Sequence, residues 1–200
     1  MNSKPWDARI SAWLVRPLVH SSVHPNVLTT LRLLVGMSGA VLLASGTAFN
    51  LGALLIVISN FLDHTDGELA RMSGKTSRFG HNYDLVSDAM VIVGLFVGLG
   101  FGLHGVLGLR SIAFGIIAGV AVAGIFYLRH VMEKESGKSA IQQAHVAGFE
   151  TEDVLYLLPL VTLANHEKTF LLAAAVGAPV GLIIVAVQYF KRPKPTPESL

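Results

Sequence analysis

The sequence predicts an all-α membrane protein: six transmembrane helices preceded by an amphipathic helix lying in the membrane interface. Three observations predict it. Of the 200 residues, 52% are hydrophobic and 14% charged, against about 25% charged in an ordinary soluble domain. Apolar stretches recur along the chain with short polar segments between them. Basic residues are sorted so that consecutive polar segments alternate between rich and poor. The mean hydropathy of +0.58 agrees with lipid as the solvent.

The spans are placed at 27–46, 51–70, 84–103, 111–132, 152–165 and 169–190. A helix needs about 20 residues to cross a bilayer, so the fifth is short. It also contains Pro159, which membrane helices tolerate when neighbours satisfy the freed backbone groups. Ahead of the first span, Trp6, Ile10, Trp13 and Leu14 recur at helical spacing, with Lys4, Arg9 and Arg16 interleaved. This pattern suits a helix at headgroup depth or one packed on the bundle, and the two are compatible. Residues 1–190 read as a single membrane domain, with 1–25 as interfacial helix and lead-in. The proline-rich 191–200 reads as a polar, disordered tail. No cleavable signal peptide and no internal repeat is expected.

Six spans place Lys4, Arg9, Arg16, Arg71, Lys75, Arg78, Arg129, Lys134, Lys138, Lys191, Arg192 and Lys194 on one side, and only Arg110 and Lys168 on the other. Arg32 falls inside the first span, near the basic side. Basic loops stay cytoplasmic, so both termini are expected inside, in the cell's inner or cytoplasmic membrane. The net charge of +2 without a basic patch argues against nucleic acid. The absence of cysteine excludes disulfides, thiolate metal sites and cysteine nucleophiles.

The chemistry is concentrated where span two runs into span three. Asp63 and Asp66 are three residues apart, and Asp84 and Asp88 four apart, so each pair shares a helix face. A short polar loop between antiparallel helices lets all four carboxylates converge. Such a cluster near lipid needs cationic compensation. Arg71 is the only basic residue beside the aspartates in the motif itself, ahead of the loop that carries Lys75 and Arg78, so divalent metal is the expected answer. All-oxygen ligands suit Mg2+ or Mn2+, with two ions a common arrangement in phosphoryl chemistry. Gly67 and Ala70 lie beside the aspartates and suit either a bulky ligand at the backbone or tight helix packing.

The string D-x2-D-G-x2-A-R-x8-G-x3-D-x3-D, with eight defined residues over 26 positions, resembles the signature of the CDP-alcohol phosphotransferase (CDP-alcohol phosphatidyltransferase) family. His24-Pro25-Asn26-Val27-Leu28-Thr29 is similar to the Pro-Asn-x-x-Thr stretch that opens the family's first helix. The resemblance implies a metal-dependent membrane enzyme of phospholipid biosynthesis. Such an enzyme moves a phosphoalcohol from a CDP-activated lipid donor, CDP-diacylglycerol above all, to a small polar or phosphorylated alcohol and releases CMP. It implies Asp63, Asp66, Asp84 and Asp88 as metal ligands, Asp88 also as the general base, and a homodimer. Gly67, Arg71, Ser77 and the segment Asn26, Val27, Leu28, Thr29 would contact the CDP moiety, with Ala70 and Gly80 leaving it room. The chain departs from many bacterial phosphatidyltransferases at Ala89, where those carry a basic residue after the last aspartate.

Arg129, His130 and Lys134, at the cytoplasmic end of span four, are candidates for an acceptor pocket; otherwise they are ordinary positive-inside charges. Glu150, Glu152 and Asp153 suit the first turn of span five. His20, His24, His64 and His81 are expected as supporting or surface residues. Two other functions stay open: a CDP-amino-alcohol donor meeting a lipid hydroxyl, and an ion-coupled transporter.

Overall fold

The computed structural model of the chain describes residues 6–136 and 153–191. These residues form helices α1 (Trp6–Val15), α2 (Pro25–Ala44), α3 (Phe49–Ser73), α4 (Arg78–Gly102), α5 (His104–Leu107), α6 (Arg110–Ser136), α7 (Asp153–Tyr156), α8 (Leu158–Leu163) and α9 (Glu167–Lys191), with a 3-10 turn at Arg16–Leu18. Among the described residues there is no strand.

Helix boundaries follow local chemistry. Pro25 opens α2, where its missing N–H would have had no partner, and the His24 Nδ1 accepts from the Asn26 N–H at 3.3 Å. Helix α3 ends at Gly74, which takes the left-handed conformation at φ +67°. Four residues later α4 begins, capped by Ser77, whose Oγ accepts from the Gly80 N–H at 2.9 Å. The predicted third span starts at 84, but the helix reaches back to Arg78 because this cap is available. Gly80, His81, Asp84 and Asp88 therefore share one continuous helix.

Helices α2, α3 and α4 pack together, α6 lies against α4, and α9 against α6. The core runs through Leu43, Ile56, Leu95, Phe96 and Leu99, joined by Leu158 of α8 and Leu171 of α9. Among the described residues, four helical segments are long and apolar enough to cross a membrane: Pro25–Ala44, Arg78–Gly102, Arg110–Met132 and Glu167–Lys191. Helix α3 matches them in length at 25 residues, but its last turns carry Asp63, Asp66, Glu68 and Arg71.

The predicted fifth span is not one helix. Its described part is divided at Leu157 into α7 and α8, with Pro159 in the first turn of α8. Proline lacks the N–H that would continue the preceding ladder, so it begins a helix more readily than it extends one. The side chains of Glu150, Glu152, Asp153 and Lys134, the side chains of Lys4, Trp6 and Arg9, and the tail beyond 191 lie outside the described residues.

Helix α1 packs on α3 with Ser11 and Val15 buried, and turns Ile10, Trp13 and Leu14 outward. The lead-in to α2 is tied to the α3–α4 loop by Lys75, whose Nζ donates to the Ser21 carbonyl at 2.8 Å and the Val23 carbonyl at 3.2 Å.

Candidate active site

The amino-terminal end of α2, the carboxy-terminal end of α3 and the amino-terminal end of α4 meet at one end of the bundle. One carboxylate oxygen each from Asp63, Asp66 and Asp84 lies within 4.8 Å of the others. The aspartates grade from buried Asp66 (5% exposed) through Asp63 (24%) to Asp84 (37%) and Asp88 (38%), so the cluster opens on the α4 side.

The cation that joins all four is Arg32 of α2, itself 2% exposed. Its Nη1 donates to Asp88 Oδ1 at 2.7 Å, and its Nη2 to Asp84 Oδ1 at 2.8 Å and the Asp84 carbonyl at 3.0 Å. Nη2 also lies 3.1 Å from Asp63 Oδ1, and Nε 3.4 Å from Asp66 Oδ2. The main chain at Arg32 is held as well: Ser59 Oγ donates to the Arg32 carbonyl at 2.8 Å. One turn on, Gly36 makes room for this approach, since a β-carbon there would sit 2.6 Å from Ser59 Oγ and 2.7 Å from Val91.

The compensating charge thus comes from outside the aspartate motif, from Arg32 rather than Arg71. A signal was present, because Asn26, Thr29 and Arg32 repeat every three residues on one face of an otherwise apolar span, and an ionised residue inside a span usually has a task. Arg71 is 63% exposed and pairs with Glu68 at 3.0 Å instead.

The donor set fits a hard divalent cation. One guanidinium balances one of four carboxylates, and Asp63 Oδ1, buried and without a hydrogen bond, has only the Arg32 Nη2 that Asp84 also uses. The remaining negative charge is strongly destabilising without a further cation. Oxygen donors alone suit magnesium or manganese.

The other candidate residues divide. Thr29 is buried and donates from Oγ1 to Asp66 Oδ2 at 2.7 Å, so it orients a carboxylate. Gly67 faces open space: a β-carbon there would meet only Arg71 Nη2, at 3.8 Å. That removes the tight-packing account of this glycine. Gly80 is the opposite case, since a β-carbon would lie 2.9 Å from Asn26 Oδ1 and 3.1 Å from Ser77 Oγ. Its small size admits the Asn26 side chain and so brings α2 against α4. Ser77 caps α4. Ala70 and Leu28 are half-buried and Val27 is exposed. At the rim, Thr30 Oγ1 and Tyr83 OH are 2.9 Å apart, a pairing across 53 residues that no local pattern encodes.

Of the acceptor candidates, half-buried Arg129 and His130 lie on α6. The His130 Nε2 is 3.2 Å from the Nε2 of His81, one turn before Asp84. That contact brings this end of α6 beside the aspartate-bearing helix.

The chain belongs to the CDP-alcohol phosphatidyltransferase family, which it matches over residues 22–187. With its four apolar helices this makes it an integral membrane protein. It is 40% identical over 83 residues to the bifunctional IPC transferase and DIPP synthase of Aquifex aeolicus, covering 42% of this chain and 18% of that one. It is 32% identical over 87 residues to the CDP-diacylglycerol–serine O-phosphatidyltransferase of Helicobacter pylori (40% and 36%). It is 34% identical over 106 residues to cholinephosphotransferase 1 of Danio rerio (46% and 28%). The chain thus aligns with less than two-fifths of the length of each of these relatives. Crystal structures of the phosphatidylinositol phosphate synthase of Mycobacterium tuberculosis share its fold. The form with CDP-DAG bound gives a TM-score of 0.69 at 21% identity, over 92% of this chain and 96% of that one. The form with manganese and citrate gives 0.69 at 20% identity, over 92% and 90%.

Proposed function

We propose that this protein transfers a phosphatidyl or other substituted phosphoalcohol group from a CDP-alcohol, CDP-diacylglycerol in the first instance, to an acceptor hydroxyl, with release of CMP. The observation that carries this reading is the convergence of Asp63, Asp66 and Asp84 at an end of the bundle that also holds Asp88. The four aspartates would hold a pair of divalent ions, which supply positive charge to the donor's diphosphate. Thr29 keeps Asp66 oriented. The open surface at Gly67, with Arg71 and the Asn26–Thr29 segment around it, receives the nucleotide. Asp88, on the open α4 side of the cluster, takes the proton from the acceptor hydroxyl. The acceptor oxygen then bonds to the phosphorus that carries the alcohol, and the bond to CMP breaks with its electron pair leaving on CMP.

Arg129 and His130 form the acceptor side. Arg129→Ala then raises the acceptor KM about 10-fold, as for a charge-assisted hydrogen bond, and leaves the donor KM nearly unchanged. The same chemistry with a CDP-amino-alcohol donor and a lipid hydroxyl is the second reading, favoured by the similarity to cholinephosphotransferase 1. A transporter fits less well, because the carboxylates gather at one end of the bundle.

The decisive assay is CMP release by the purified chain in detergent, with serine, inositol, inositol phosphate, glycerol phosphate and choline screened against CDP-diacylglycerol, and diacylglycerol against CDP-choline. Release that needs magnesium or manganese supports the reading. Release undiminished by a chelator, or none with any pair, refutes it. The accompanying topology has six spans, α1 in the interface, and both termini and the aspartates cytoplasmic, in a homodimer. Cysteines at Thr47 and His166 then label from outside and one at Thr76 does not; the reverse pattern overturns this orientation.

A further inference from the structure

The site contains a permanent cation as well as a place for exchangeable ones. Arg32 is more deeply buried than any of the carboxylates it touches, its main chain is held by Ser59, and its side chain reaches all four aspartates. A guanidinium presents its donors in a fixed planar fork, so it fixes direction as well as charge. The shortest contact, 2.7 Å, goes from Nη1 to Asp88 Oδ1. Asp88 is also the aspartate outside the group of three whose oxygens converge within 4.8 Å.

We propose that Arg32 is a positioning residue with two consequences. Its Nη1 holds one oxygen of Asp88, leaving the other to take the acceptor proton. Its charge, standing among the metal-binding aspartates, holds their affinity for divalent ions below what the carboxylates alone would give. The first consequence rests on the phosphotransfer reading above; the second rests on charge and distance alone. Together they give a signature that general structural damage does not produce. Without the guanidinium, turnover falls while metal binding tightens. Loss of structure weakens both.

The test uses the full chain in detergent or nanodiscs, with Arg32→Gln and Arg32→Lys beside the parent. Mn2+ binding is titrated calorimetrically without substrate, and CMP release is measured with donor and acceptor varied in turn. Arg32→Gln is expected to bind Mn2+ about 10-fold more tightly, because a unit charge a few ångströms from the ligand oxygens has been removed. Its turnover falls about 100-fold, as for other groups that orient a site from behind, with the donor KM little changed. Arg32→Lys retains the charge without the fork. It binds Mn2+ like the parent, yet turns over about 10-fold more slowly, near the lower end of the same range. Methylguanidinium added to Arg32→Ala restores turnover in a saturable way and does nothing for Asp88→Asn.

Unchanged or weaker Mn2+ binding in Arg32→Gln overturns the charge role. Parent-like turnover in Arg32→Lys overturns the fork, and does so even where the glutamine variant cannot be recovered folded. A parent that releases no CMP refutes the phosphotransfer reading instead, and the Mn2+ titration still decides what the Arg32 charge does.

Discussion

The two halves of the α2–α3–α4 unit are held together by opposite means. At one end, Thr29, Arg32, Asp63, Asp66, Asp84 and Asp88 meet through charge and hydrogen bonds, with more negative than positive groups. Toward the other end the helices touch through small residues and fully buried Leu43, Leu95 and Leu99. A β-carbon on Gly39 would lie 2.9 Å from the Gly52 carbonyl, and one on Gly52 would lie 2.8 Å from Leu43 Cγ. Close packing of this kind is a principal source of helix association in lipid. It supplies the rigidity that lets like charges be gathered at the polar end. On the proposed function, the apolar half carries stability and the polar half carries chemistry.

That division can be broken by three substitutions. Asp63→Ala should have the largest effect on activity. It removes a member of the convergent trio, so CMP release should fall by more than the roughly 10–100-fold typical of groups that only support a metal ligand. Its melting temperature in detergent should hold or rise, because three carboxylates rather than four then surround Arg32. A variant that melts early would place Asp63 on the stability side.

Thr29→Val comes next. It keeps the shape and deletes the hydroxyl that donates to Asp66. A hydrogen bond to a charged group contributes roughly 1.5–3 kcal/mol. The expected loss in kcat/KM is therefore about 10-fold. Initial rates across metal concentration would show it as a raised metal requirement. An unaltered requirement would mean that Asp66 is held well enough by other contacts.

Gly39→Val should disturb activity least and stability most. Overpacking a close helix contact costs about 1–3 kcal/mol, read as a lower melting temperature, while the folded fraction turns over close to the parent rate. Normal melting with impaired turnover would show that the packed half communicates with the site.

The parts of this architecture legible in the sequence are those with a local cause. Asp63 and Asp66, or Asp84 and Asp88, share a face because helical periodicity relates residues three or four apart. The turn between their helices was visible in its polar residues, and four of the six expected spans are long apolar helices. The family resemblance implies Ser77 as a CDP contact, whereas its capping bond depends on where α4 starts. The break at Leu157 turned on whether Pro159 would be carried within a helix or begin one.

By itself, then, the sequence determined the all-helical membrane class, the two aspartate pairs and the shared face of Asn26, Thr29 and Arg32. Only the tertiary structure decided that Arg32 meets the aspartates and that Gly80 admits Asn26 while Gly67 stays open. It also decided that Thr29 serves Asp66, 37 residues away. The reason is physical. Periodicity sets which residues share a face, but the rotation and spacing of each helix against its neighbours set which faces meet. Those depend on packing along the whole length of α2, α3 and α4, on contacts such as Gly36 with Ser59 and Val91 that no local pattern encodes.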